Sequence, residues 1–318
     1  MLGLKYLPVA LPSPYKVLQE SPPKFHQSIM AMPRGLDHIV HAVRDLDAAA
    51  DLYRRMGFVV GVRNRHAWGT HNQLVQLPGF FMELLAVAEQ DKLTGEGFPA
   101  LFGDFNRQFL ARHEGLSFMM LESSDVPADA AQFRSAGFAR SDALTFERAG
   151  KGPDGNTVTV GFSLAFARDP RATEIGFAVC RQHSPQLFWN PVLQQHANGS
   201  TGVAGAVLVA ENPSDLHIFL SAFTGERELQ ATSSGITAST PRGDIKIMDP
   251  AAFKDHFGIS APDISGGAQL AAVRFQVRDR AALLAALAAG GIPSFPHAGA
   301  TVVPAEAALG ANLVFADA

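Results

Sequence analysis

The stretch from Arg34 to Phe58, RGLDHIVHAVRDLDAAADLYRRMGF, decides the fold. Its first residues alternate as a strand does. Asp45 then stands where a helix would be capped, with Leu46, Ala49, Ala50 and Tyr53 on one apolar face and Gly57 at the stop. Working outward, strand patterns follow at Val59–Val62, Asn72–Leu77 and Phe80–Val87. One strand, one helix and three strands make a βαβββ unit.

The unit recurs. Glu114–Phe138 reads EGLSFMMLESSDVPADAAQFRSAGF, and a shift of 80 residues lays Asp125 on Asp45, Phe133 on Tyr53 and Gly137 on Gly57. Strands are expected after it at Thr157–Phe166 and Glu174–Cys180. A further copy, GAQLAAVRFQVRDRAALLAALAAGGI from Gly267, puts Asp279 on Asp45 and Gly291 on Gly57. The weakest, Gly202–Gly225, keeps the order of strand and helix, with later strands at Ile236–Ser239 and Asp244–Met248. Chance does not readily yield four such units, and a repeat sets the architecture before any single residue does. HANGSTG, His196–Gly202, reads as a linker between halves.

Bulk properties exclude several classes of function. A formal charge of −4 and a pI near 6.2 offer no basic stripe for nucleic acid. Apolar runs end well short of the roughly 20 residues of a membrane span. Cys180 is the one cysteine, which excludes an internal disulfide framework and a zinc cluster made of cysteines, and points to packing in a strand. A reducing, cytoplasmic setting is expected. Residues 1–32 hold five prolines and no period, as in a loosely attached arm, and Met30 and Met32 are expected as alternative starts.

The residues Asp37–Phe58, Trp68–Leu77 (WGTHNQLVQL) and Phe80–Val87 (FFMELLAV) resemble the vicinal oxygen chelate superfamily and its glyoxalase-like domains. The likeness implies an α+β fold in which four βαβββ modules pair into two curled mixed sheets. Residues 33–195 would then form a glyoxalase-like domain from modules one and two, and residues 203–318 a degenerate one from modules three and four. It also implies a divalent metal (Zn, Ni, Mn or Fe), with each module offering one ligand from its first strand and one from its last. His38 and Glu83 match that pattern. In module two Phe118 replaces the histidine, and His183 or Gln182 could supply a ligand from the last strand. Gly205 and Ala272 stand at the histidine position of modules three and four, Lys246 and Val314 at the glutamate position. The first half is therefore the expected working half.

Bland readings stand beside these. His38 could be a hydrogen-bonded core histidine, whereas Glu83 among Phe80, Phe81, Met82 and Leu84 needs a partner of some kind. His41 falls on the opposite strand face from His38. Trp68, Thr70, His71 and Asn72 form a polar and aromatic cluster suited to holding substrate, or else ordinary turn chemistry. Gly150–Gly155 is a hairpin turn, not a phosphate loop. The leading expectation is a metal-dependent lyase or isomerase that acts on a small carbonyl or hydroxy-acid compound through an enolate, with His38 and Glu83 catalytic. The alternative is a metal-free protein that sequesters a small molecule. Neither nucleic acid nor membrane is an expected partner; a homodimer is the candidate assembly.

Overall fold

The aspartates that punctuate the repeat share one role. Asp45 accepts the backbone N–H groups of Asp47 and Ala48, Asp125 that of Ala128 and Asp279 that of Ala282. Each is a helix cap worth about 1 kcal/mol. Gly57, Gly137, Gly225 and Gly291 follow the four helices at φ of 84°, 81°, 75° and 64°. Only glycine adopts those left-handed values without a Cβ clash, so the chain turns back onto its sheet at the same point in every module.

The computed structural model describes residues 32–152 and 154–318; the expected arm lies, save for Met32, outside the described residues. Module one comprises β1 (Leu36–Ala42), α1 (Leu46–Arg55), β2 (Asn64–Arg65), β3 (Thr70–Leu77) and β4 (Phe80–Val87). A connection containing α2 (Phe105–Arg112) leads to module two: β5 (Gly115–Glu122), α3 (Val126–Ser135), β6 (Leu144–Lys151), β7 (Thr157–Ala167) and β8 (Gly176–Gln182). The short α4 (Pro185–Phe188) precedes module three: β9 (Ser200–Val209), α5 (His217–Thr224), β10 (Gln230–Thr232), β11 (Gly235–Ser239) and β12 (Asp244–Met248). After α6 (Pro250–Phe257), module four runs through β13 (Gln269–Val277), α7 (Arg280–Ala289), β14 (Phe295–His297), β15 (Ala300–Val303) and β16 (Asn312–Asp317).

Two eight-stranded mixed sheets result. Their orders are β2-β3-β4-β1-β5-β8-β7-β6 and β10-β11-β12-β9-β13-β16-β15-β14. Within each module the first strand lies parallel to the last, and the first strands of adjoining modules pair antiparallel. Modules one and two thus share one sheet, modules three and four the other. One core joins them. Phe58, 3% exposed, packs on Phe275 and Phe315 at ring separations of 5.5 and 6.1 Å. Burying a phenylalanine so completely stabilises by about 2–3 kcal/mol. Polar ties cross the same seam: Arg34 donates to the Phe223 carbonyl, and Arg242 donates to the Leu36 carbonyl while pairing with Glu122.

One local expectation needs correction. Val59–Val62 is not a strand: only Gly61 N–H reaches β3, at the Leu74 carbonyl, and Val62 is exposed. Pairing is confined to β2. The HANGSTG stretch leads into β9 between the two halves, where it was expected to link them, and it is packed down: Asn198 is fully buried and donates to the Met56 carbonyl. His196 Nε2–H donates to the Gln76 carbonyl while its Nδ1 accepts Val59 N–H. These polar side chains satisfy backbone groups in the seam. Among the described residues, no helix is long and apolar enough to cross a membrane.

Candidate functional site

The inner face of the first sheet is a bowl of aromatic and aliphatic side chains, including Trp68, Phe81, Phe98, Phe102, Phe162 and Phe188. At its centre is a narrow cavity of about 50 Å³ lined by His38, His66, Asn72, Glu83, Arg148 and Cys180 among these rings. β4 supplies two members through its period of two: Phe81 and Glu83 face inward together. β1 supplies His38, whose ring stacks on Phe81 at 4.3 Å and 12°.

Asp37, next in sequence to His38, would face the other way in a regular strand. The pairing of β1 with β5 shifts between Leu36 and His38. This bulge lets the Asp37 carboxylate accept His38 Nδ1–H at 2.6 Å. In the neutral ring Nε2 then carries its lone pair toward Glu83 Oε2, 3.7 Å away. Asp37 is itself held by Gln182 Nε2–H at 3.1 Å. On the far side, Asn72 Nδ2–H donates to Glu83 Oε1 at 2.6 Å, and Asn64 Nδ2–H donates to Asn72 Oδ1 at 3.0 Å. Arg148 Nη1–H donates to Asn64 Oδ1 at 3.0 Å. One polar chain therefore crosses the bowl from β8 to β6, interrupted only by the gap between His38 and Glu83.

Burial governs the charges. It raises the Glu83 carboxyl above its usual range, with His38 and the Asn72 hydrogen bond opposing. It pushes His66 down to about 3, aided by Arg148, so that ring is neutral. It raises the Cys180 thiol well above normal, which makes Cys180 a poor nucleophile as it stands.

The sequence-derived residues divide. His38, Glu83, Trp68 and Asn72 line the cavity together. Thr70 does not; its Oγ accepts His66 Nδ1–H at 2.8 Å and so orients the ring that stacks on Trp68. His71 points to the other face, where Nε2 meets Glu89 at 3.1 Å. His183 lies just past β8 on its outer face, exposed and bonded to Ser163. Parity is the cause: Ala178 and Cys180 face the bowl, so residue 183 cannot. Module two aligns Phe118 with His38 and Ala178 with Glu83, by the parallel pairings His38↔Phe81 and Phe118↔Gly176.

Three residues of the chain across the bowl were not singled out by sequence: Asp37, Asn64 and Arg148. Arg148 had a signal, since Leu144, Phe146 and Arg148 alternate inward along β6. A cation at an inward position invites a role. Asp37 had none, because a bulge is invisible to alternation.

The donors fit a divalent ion in part. Atoms of Asp37, His38 and Cys180 lie within 4.8 Å of one another, all three residues buried. A tetrahedral ion with bonds of about 2.1 Å separates N and O ligands by about 3.4 Å, close to the 3.7 Å between His38 Nε2 and Glu83 Oε2. Asp37 on Nδ1 is the partner that a metal-bound histidine usually has behind it.

Comparison with known proteins bears on the family and the fold. The family model described as "Glyoxalase-like domain" matches residues 36–224. No curated protein matches in sequence. A hypothetical protein from Staphylococcus aureus superposes with a TM-score of 0.63 at 14% identity, over 90% of this chain and all of its own. A mutant 4-hydroxymandelate synthase from Streptomyces coelicolor gives a TM-score of 0.51 at 12% identity, over 84% of this chain and 78% of its own. At such identities the likeness is one of fold.

Proposed function

The chain belongs to the glyoxalase-like domain family of the vicinal oxygen chelate superfamily, and from that premise we propose that it is a lyase or isomerase that acts on a small carbonyl or hydroxy-acid compound by moving a proton beside its carbonyl. The observation that carries the reading is the His38–Glu83 pair, 3.7 Å apart and facing one water-poor cavity.

Glu83 is the proton carrier. Burial narrows the gap between its basicity and that of a carbon acid, which suits general acid–base work near neutral pH. Asn72 fixes Oε1 and leaves Oε2 free toward the cavity. His38, held by Asp37, presents its Nε2 lone pair at the same spot, where it can accept the hydrogen bond of a substrate hydroxyl. Phe81 and Trp68 exclude water and flank the apolar part of the substrate. His38 and Glu83 would hold a divalent ion from Nε2 and Oε2, while Cys180 lies within 4.8 Å of Asp37 and His38 and not of Glu83 as well; such an ion would supply Lewis acidity that polarises a carbonyl.

The test is hydrogen exchange in D2O. Wild-type protein, with its metal content measured as isolated, should exchange the proton next to the carbonyl in a panel of small ketones, aldehydes and oxo acids, followed by NMR. Glu83→Gln should not. If wild type exchanges no compound with or without added Zn, Ni, Mn or Fe(II), the reading fails. Saturable binding of apolar compounds would then favour sequestration, a second reading that the aromatic walls support.

A further inference from the structure

A second, wider cleft of about 420 Å³ adjoins the cavity and shares Leu74, Arg148 and Phe188 with it. Its walls carry Arg148 and Lys151 and no aspartate or glutamate, in a chain whose formal charge is −4. Arg148 forms no ion pair among the described residues. Its Nη1 is engaged by Asn64 and by the Ala149 carbonyl, and its guanidinium lies 5.6 Å from the Phe162 ring centre, while Nη2 and Nε have no described acceptor. Burial depresses this guanidinium, with Glu83 in partial opposition, so an arriving anion would relieve an uncompensated charge. Among the described residues, Lys151 Nζ is tied only to the Thr157 hydroxyl, a neutral partner. Gly150, Gly152 and Gly155 keep this wall low, leaving room beside both cations.

We infer that this cleft is the subsite for the oxyanion end of the substrate, a carboxylate or phosphate gripped by Arg148 and assisted by Lys151, while the uncharged carbonyl end enters the narrow cavity. The substrate class is then an oxo acid, a hydroxy acid or a phosphorylated carbonyl compound. A planar guanidinium with two unused N–H directions matches either oxyanion in two-point fashion. Arg148 is a binding residue and Glu83 the proton carrier, with Asn64 and Asn72 the spacers between them. Naming the substrate rests on the proton-transfer reading above, whereas the anion site does not.

Two measurements separate those claims. First, inorganic phosphate and acetate are titrated onto the full chain by calorimetry. At least one should bind saturably, with affinity that weakens as salt rises. Arg148→Gln should weaken it about tenfold or more, and Lys151→Met, an exposed change that leaves the hairpin intact, severalfold. Which of the two anions binds more tightly tells carboxylate from phosphate. Second, in the exchange assay anionic carbonyl compounds should outperform neutral ones of equal size, and Lys151→Met should raise KM with kcat little changed. Exchange that is indifferent to substrate charge and to both variants overturns the subsite and leaves the proton-transfer reading standing. Anion binding lost in the variants without exchange of any compound does the reverse. If neither anion binds wild type, the subsite is wrong.

Discussion

The two sheets have the same strand order and opposite interiors. In the first, the bowl keeps a cavity with His38, Asn72 and Glu83 at its base. In the second, the equivalent surface is filled: Phe253 and Phe257 of α6 pack against Val207, Met248, Ala271 and Val314. Where the first sheet has Phe81 and Glu83, the second has Asp244 and Lys246, by the pairings β1–β4 and β9–β12. Asp244 is neutralised by Arg274 at 2.5 Å and by Lys246 at 3.8 Å. Charges that satisfy each other have little left for a ligand. The lesson is that the repeat specifies the sheet, and a few inward positions plus the helix after the third module's last strand specify whether it is a site or a scaffold.

The sharpest way to break that comparison is to disable each bowl in turn. Glu83→Gln keeps the acceptor for Asn72, so the fold should persist while exchange falls by roughly 10²–10⁴-fold, the usual share of a general acid–base group. Lys246→Gln in the second bowl should leave the rate within about twofold. Equal losses in both variants would mean that the second sheet takes part in the chemistry.

The converse asymmetry is one of stability. Phe253 is fully buried in the plugged bowl. Phe253→Ala should cost about 3–5 kcal/mol in denaturant unfolding, because the surrounding strands cannot collapse onto the void. Phe188→Ala, at the rim of the open bowl and 7% exposed, should cost less. A smaller loss at Phe253 would show the second interior to be loosely filled.

The seam between the halves titrates. His41 is fully buried; Nε2–H donates to the Leu309 carbonyl of module four and Nδ1 accepts the Tyr53 hydroxyl. Burial brings its pKa from 6.5 to about 4. Between those values the unfolded chain binds the proton and the folded chain does not. Stability from this residue is thus whole above pH 6.5, declines as pH falls and levels off below about 4. The full loss is on the order of 3 kcal/mol. Comparing wild type with His41→Gln by unfolding at pH 7 and pH 4.5 isolates it: the stability gap between them should narrow on acidification. An unchanged gap would place no neutral histidine in the seam.

How much of this was legible beforehand follows from what each signal depends on. Asp45, Asp125, Asp279 and the glycines after each helix act through local backbone geometry, so a linear reading finds them, and the fold with them. His38, Asn72 and Glu83 were legible because strand alternation aims them into one bowl, and Trp68, in the turn before β3, because an aromatic stands beside that polar cluster. His183 was misread since the register of β8 is fixed by pairing with β7, and one residue of slip exchanges faces. Asp37 depends on a bulge, and the place of Arg148 beside Asn64 depends on β6 meeting β2 from the far edge of the sheet. Neither is local. Long-range pairing is the part of structure that alternation does not encode.

The smallest effect tests the repeat itself. Modules one, two and four begin their helices on an aspartate whose side chain caps the backbone; module three has Asn212, whose side chain bonds Asp215 instead of the backbone. Alanine at Asp45, Asp125 or Asp279 should each cost about 1 kcal/mol, through loss of an acceptor for helix N–H groups that have no other partner. Alanine at Asn212 should cost less than about 0.5 kcal/mol, the range of a surface change that breaks no cap. Helix α5 of module three is preceded by a 3-10 turn over Pro213–Leu216, whose proline supplies a fixed φ, and the Asp215 N–H, equivalent to those the other modules cap, bonds the Asn212 carbonyl instead. An Asn212→Ala loss equal to the other three would mean that module three is capped as they are, and that its divergence from the repeat is one of sequence alone.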